Sequence, residues 1–143
     1  MIWLLRHGDA EPHGGDDTSR QLTDKGKRQA AHAGKAIVAF EIEIEVCLTS
    51  PKVRALQTAK IVCDELGMEP EIEERLRGGL IDVRDLAAGR EALIVGHEPD
   101  LSNAVAELSG GKVKLKKGGL AGVEPGTLHA LFRPKDLAQI TGG

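Results

Sequence analysis

Arg6 and His7 follow directly on an apolar run, Ile2-Trp3-Leu4-Leu5. They set a permanent cation beside an imidazole. Arg presents a planar fork of N–H donors suited to phosphate oxygens. A neutral imidazole nitrogen can attack phosphorus and form a covalent intermediate. Similar chemistry recurs twice further along. Ser50 and Arg54 follow the apolar segment 45–49, and His97 follows Ala92-Leu93-Ile94-Val95. In an open α/β sheet, ligands bind just outside the carboxyl ends of the strands. Two Arg and two His gathered at one such edge would hold three phosphoryl oxygens while one imidazole attacks.

The elements that must position these residues follow from periodicity. Ile2–Leu5 has the length and composition of a buried strand, and Gly8 permits a sharp turn after it. Residues 11–21 are polar, contain Pro12, Gly14 and Gly15, and predict a loop arching beside His7. Thr23 is a good N-cap for a helix with Asp24 in its first turn and an apolar stripe Ala30, Ala33, Ile37, Phe40. Gly34 on that helix predicts close packing on the sheet. Residues 45–49 predict a second strand, with Ser50 as N-cap and Pro51 as first residue of the next helix. That helix's core face is expected to be Val53, Leu56, Ala59, Val62 and Leu66, with Gly67 as its stop. A short strand at 71–76 and a helix at 80–88 follow, then a strand at 92–95 and a helix over 100–108. Alternating Val113 and Leu115, then 120–123 and 128–132, predict hairpin-like strands, before a helical turn at 134–140. Alternation of strands and helices predicts an α/β fold, a three-layer α/β/α sandwich with a mostly parallel central sheet. At 143 residues one domain, 1–143, is expected.

Composition narrows the function. A net charge of −3 lacks the basic footprint of a nucleic-acid binder, and with only Trp3, Phe40 and Phe132 as aromatics, base stacking is nearly excluded. No segment is long enough to span a bilayer, and no signal peptide is recognisable. Cys47 and Cys63 lack the spacing of metal ligands and read as small buried hydrophobes in a reducing cytoplasm. The expected protein is therefore a cytoplasmic monomer without nucleic-acid or membrane partners.

At its chemistry-bearing residues the chain resembles the histidine phosphatase superfamily, also called phosphoglycerate mutase-like. The family's Arg-His-Gly stands here as Arg6-His7-Gly8. Its Ser-Pro-x-x-Arg-Ala-x-Gln-Thr-Ala pattern is matched from Ser50 to Ala59, and its Leu-Thr-x-x-Gly-x-x-Gln-Ala pattern from Leu22 to Ala30. Its second His follows a hydrophobic strand, as His97 does in Val95-Gly96-His97. Short length, Arg-His-Gly-Asp-Ala and Lys-Lys-Gly-Gly-Leu-Ala at 116–121 are most similar to the small SixA-type phosphohistidine phosphatases. The resemblance implies that His7 is the nucleophile, with its other ring nitrogen donating to a carbonyl or carboxylate. Arg6, Arg54 and His97 would clamp the transferring oxygens, and Ser50 would either add a hydrogen bond or only cap its helix. It implies no metal and no cofactor. The implied substrate is a phosphohistidine-bearing protein or a small phosphorylated molecule; a non-catalytic phosphate-binding regulator is a remoter alternative.

One departure bears on substrate. Larger members carry a Glu general acid for an oxygen leaving group, and no counterpart has a matching surround here. Glu74, Asp82, Glu98 and Asp9 are weak candidates. General acid help is worth roughly 10²–10⁴ in rate, and an alkoxide leaving group needs it more than an imidazole on a labile P–N bond does. Other polar residues read blandly: Glu11, Asp16 and Asp17 as solvated loop charges, His13 and His32 as exposed, His129 without a role. Lys112, Lys114, Lys116 and Lys117 read as the wet face of an edge strand, or alternatively as a docking surface for an acidic protein. Arg20, Arg75 and Arg77 could widen the positive rim.

Overall fold

The computed structural model describes residues 1–12 and 16–142; His13 lies outside the described residues. Its centre is a six-stranded sheet built from β1 (Ile2–Arg6), β2 (Val46–Thr49), β3 (Glu71–Ile72), β4 (Ala92–Gly96), β5 (Leu120–Glu124) and β6 (Thr127–Phe132), in the order β3-β2-β4-β1-β5-β6. The first four strands in chain order run parallel; β5 pairs antiparallel with β1, and β6 antiparallel with β5 at the edge.

Side-chain alternation divides the core in two. Ile2, Leu4, Leu48 and Ile94 point to one face, where they meet Leu86 of α3 (Val83–Ala87) and Leu101 and Val105 of α4 (Asp100–Ser109). Trp3, Leu5, Cys47, Leu93 and Val95 point to the other. There they meet α1 (Asp24–Ala39), α2 (Val53–Leu66) and α5 (Pro134–Ile140). Strands buried on both faces read as continuous apolar runs, and the sandwich is the expected α/β/α arrangement. Both cysteines are free and buried, as small hydrophobes would be. Among the described residues no helix is long and apolar enough to cross a membrane.

Local signals hold at several ends. The Thr23 hydroxyl accepts the Gly26 N–H, and Gly67 stops α2 in the left-handed region at φ 70°. Elsewhere tertiary contacts prevail. Gly34 abuts α2 rather than the sheet, since a Cβ there would lie 2.9 Å from Glu65 Cγ. Phe40 leaves the buried stripe at the end of α1 and stacks on Phe132, 39% exposed. α2 starts at Val53, three residues after Ser50, with Lys52 at its N-cap position. Its buried face is Arg54, Ala55, Thr58, Ala59, Val62 and Cys63, rotated from the apolar stripe because Arg54 and Thr58 turn inward. Residues 111–116 form no strand, which removes the expected edge strand at Val113 and Leu115. Leu115 is nonetheless buried, and its backbone bonds to side chains near the ends of β1 and β4.

Candidate active site

The parallel strands set the site's floor. β1 ends at Arg6, β2 runs into Ser50 and β4 into His97, so three neighbouring strands deliver these residues to one sheet edge. The backbone locks them there: His7 N donates to the Gly96 carbonyl (3.1 Å) and Ser50 N to that of Val95 (3.0 Å). α2 packs over the same edge and brings Arg54 in from its first turn.

Gly8 serves a different purpose from the one its position in the chain suggests. Its φ is not positive; instead, a Cβ there would stand 2.5 Å from the Gly26 carbonyl oxygen. A Cβ on Gly26 would press closer still on the Asp9 carbonyl oxygen. The pair lets the start of α1 press on the turn after β1. Thr58 completes the turn, accepting the Gly8 N–H (3.1 Å) while its hydroxyl donates to the Arg54 carbonyl (2.8 Å).

His7 is buried, with Nδ1 2.8 Å from the Gly8 carbonyl. A carbonyl only accepts, so Nδ1 bears the proton and the lone pair sits on Nε2. Arg54 Nε donates toward that Nε2 at 3.4 Å. Burial pushes the His7 pKa down to about 4; the Gly8 carbonyl opposes this, and the Arg54 and Arg6 charges reinforce it. At neutral pH His7 is therefore an uncharged imidazole with an unprotonated Nε2.

His97 lies 5.2 Å from His7, ring centre to ring centre, and its Nε2 is 2.8 Å from Ser50 Oγ. Ser50 Oγ also accepts the Lys52 N–H at 3.2 Å. The buried hydroxyl thus ties His97 to the segment before α2, where Lys52 holds the N-cap position without a side-chain capping bond. Burial, then the neighbouring His7 and Arg54, push the His97 pKa down to about 3. Arg6 Nη1 donates to the Leu115 carbonyl (3.0 Å). Two buried polar atoms have no hydrogen-bond partner among the described residues, Arg6 Nε and His97 Nδ1. Both belong to this cluster, where unmet hydrogen-bonding capacity is what an incoming anion would engage.

The loop after β1 supplies a residue that reads as a mere solvated charge in the sequence. Asp17, in a 3₁₀ turn over Asp17–Ser19, accepts Arg54 Nη1 on its carbonyl (2.8 Å) and Nη2 on its carboxylate (3.3 Å). The same carboxylate pairs with Lys52 (3.2 Å) and Arg20 (3.3 Å). Hydrogen bonds from Lys52 and Arg20 and the Arg54 charge hold its pKa down at about 2. Asp17 is thus an anion resting on the cations of the site. Asp16, by contrast, caps that turn, and Arg20 is held by the Asp17 carboxylate and the Glu11 carbonyl (2.8 Å).

The four candidate acids are committed elsewhere. Asp9 accepts the Thr23 hydroxyl (2.8 Å) and pairs with Lys117 (3.3 Å), which lowers its pKa. Glu74 pairs with Arg77, and Asp82 caps α3. Glu98 accepts the backbone N–H groups of Ser102 (2.7 Å) and Leu115 (3.1 Å). Arg75 and Arg77 are neutralised by Glu73, Asp85 and Glu74, so they add nothing to the rim. His129 sits on β6 beside Glu124, away from the cluster.

Comparison with known proteins points the same way. Residues 2–79 match the family model described as histidine phosphatase superfamily (branch 1). An uncharacterized protein of Picosynechococcus is 31% identical over 140 residues, 87% of this chain and 85% of that protein. The protein histidine phosphatase SixA, solved in complex with tungstate, superposes with a TM-score of 0.81 at 26% identity, over 95% of this chain and 98% of that one. The mitochondrial serine/threonine-protein phosphatase Pgam5 of Drosophila persimilis is 35% identical over 68 residues; the match spans 48% of this chain and only 24% of that protein.

Proposed function

The chain belongs to the histidine phosphatase superfamily, and from that premise we propose that it hydrolyses phosphohistidine through a covalent intermediate on His7. The observation that carries the reading is the His7 tautomer: Nδ1–H fixed on the Gly8 carbonyl, Nε2 left with its lone pair beside Arg54. In the first step Nε2 attacks phosphorus in line, a new P–N bond forms, and the substrate's P–N bond breaks. The departing imidazole takes its proton from solvent. In the second step water attacks phospho-His7, releasing inorganic phosphate and restoring Nε2.

Arg6, Arg54 and His97 are the proposed oxyanion donors, with Ser50 holding His97 in place. Phosphoryl transfer asks the protein mainly for positioning and charge stabilisation. Arg54 must exchange Asp17 for the phosphoryl oxygens, because both compete for its Nη2. The scheme uses no metal and no cofactor. The proposed setting is a cytoplasmic monomer acting on a phosphohistidine-bearing protein, without nucleic-acid or membrane partners.

Two features favour P–N over P–O cleavage. The four carboxylates picked out as candidate acids are engaged in other bonds, and the solved relative in complex with tungstate is by its own description a protein histidine phosphatase. A phosphomonoesterase reading has the Pgam5 similarity behind it, which spans 48% of this chain and 24% of that protein.

The test compares labelled phosphohistidine protein with a panel of phosphate monoesters, in chelator, for the native chain and His7→Ala. Expected are preference for phosphohistidine, acid-labile label trapped on His7, and loss of turnover in the variant. Faster cleavage of monoesters would overturn the substrate assignment, and unimpaired turnover by His7→Ala would overturn the mechanism.

A further inference from the structure

On the α1/α5 side of the sheet, at the same end as His7, lies a groove of about 410 Å³. Topology places it there: β5 begins and β6 ends where β1 ends, since both pairings are antiparallel. Lys25, Arg28 and His32 of α1, Lys116 of the preceding connection, and Arg133 and Lys135 at the start of α5 line it. No Asp or Glu does. Five of the 19 Lys and Arg of a chain with net charge −3 therefore converge on one concavity. Among the described residues Arg133 alone of them is paired, to Asp136 at 2.9 Å.

The groove is tied to the reactive centre through backbone. Gln29, on its wall, accepts the Asp9 N–H (2.8 Å), and Lys117 pairs with the Asp9 carboxylate (3.3 Å). Gly118 N donates to the His7 carbonyl (3.1 Å).

We propose that this groove docks an acidic segment of the protein that carries the phosphohistidine, so that carboxylates of the substrate chain lie along it while the phosphoryl group reaches His7. The proposal rests on the phosphohistidine reading above and adds the partner's chemistry. The character of the groove selects a protein segment over a single small anion. Lys25, Arg28, Lys116 and Lys135 are exposed, and among the described residues no orphaned buried donor points into the groove as one would in a desolvated phosphate pocket. Cations spread along an open groove match several carboxylates in a row, and steer them in by long-range attraction.

The experiment uses two short phosphohistidine peptides, one flanked by Asp and Glu and one by Ser and Gly, with the native chain, Lys25→Glu/Arg28→Glu/Lys135→Glu, and Lys112→Glu/Lys114→Glu. The last pair is exposed but lies outside the groove, and controls for charge reversal elsewhere on the surface. The native chain is expected to favour the acidic peptide by about tenfold in kcat/KM at low salt. That preference should shrink as salt rises, vanish in the triple variant and persist in the control. Equal kcat/KM for the two peptides on the native chain, or a preference the triple variant retains, overturns the proposal. A separate arm measures binding of the unphosphorylated acidic peptide by fluorescence anisotropy, so docking is decided even if phosphohistidine itself is not cleaved. Tighter binding of a short single-stranded oligonucleotide than of that peptide would reassign the groove and also overturn the proposal.

Discussion

Glu98 accepts the backbone N–H of Leu115 at 3.1 Å, and the carbonyl of the same Leu115 accepts Arg6 Nη1 at 3.0 Å. A carboxylate adjacent to His97 in sequence thus holds, through one residue of a connecting segment, the guanidinium that precedes His7. The other Glu98 oxygen accepts Ser102 N at 2.7 Å, in the first turn of α4. Gln has one accepting side-chain oxygen, so Glu98→Gln leaves one of these two N–H groups unpaired. A loss of about 1–3 kcal/mol is expected, read as a lowered denaturant midpoint. kcat/KM should fall with Arg6 displaced, and an Arg6→Lys/Glu98→Gln double variant should lose less than the two single losses combined.

Asp17 holds Arg54 and Lys52 in the structure as a phosphoryl group would. Asp17→Asn removes that competing charge. Tungstate or phosphate is expected to bind several-fold tighter in the variant, since one charge–charge contact near the surface is worth roughly 0.2–1 kcal/mol. Isothermal titration at low salt checks this; weaker binding would show that Asp17 orients the arginines rather than competing for them.

Gly26 and the Asp9 backbone are too close for a side chain between them. Gly26→Ala is expected to cost about 3 kcal/mol or more by forcing backbone apart, with activity lost as the turn at Gly8 shifts. Gly78→Ala meets nothing within 4 Å and should leave the unfolding midpoint unchanged. Chemical denaturation of both variants tests the contrast.

Acid should destabilise the fold earlier than carboxylate protonation alone would. His7 and His97 titrate at about 4 and about 3 in the folded chain, against roughly 6.5 unfolded. Below 6.5 the unfolded chain binds protons that the folded one refuses. Stability from neutral imidazole burial is complete above that pH and declines as pH falls toward the folded values, by about 2 kcal/mol per imidazole at pH 5. Midpoints measured across this range should slope less steeply in His97→Asn. Activity has its own limb: protonated Nε2 cannot attack, so kcat/KM for the free enzyme falls only as pH drops toward 4.

Much of the frame was legible in the chain. Apolar runs at 2–5 and 92–95 predict strands buried on both faces, Thr23 marks the start of α1 and Gly67 the end of α2. These signals are local: a strand's apolar run or a cap's hydroxyl acts on backbone within a few residues. Ser50 satisfies the capping rule yet stands three residues before α2, with its hydroxyl against His97, 47 positions away. Val113 and Leu115 alternate as a strand should, but the Leu115 N–H and carbonyl go to Glu98 and Arg6 instead of to a ladder.

From the sequence by itself came the order of elements and the identity of the residues fit for phosphoryl chemistry, because composition, spacing and motif are properties of neighbours. Only the tertiary structure decided which His7 nitrogen keeps its lone pair, that Asp17 rests on Arg54, and that five cations share one groove. Each of those outcomes is a competition among distant partners for one donor, acceptor or charge, and it is settled only where the folded chain brings the competitors within a few ångströms.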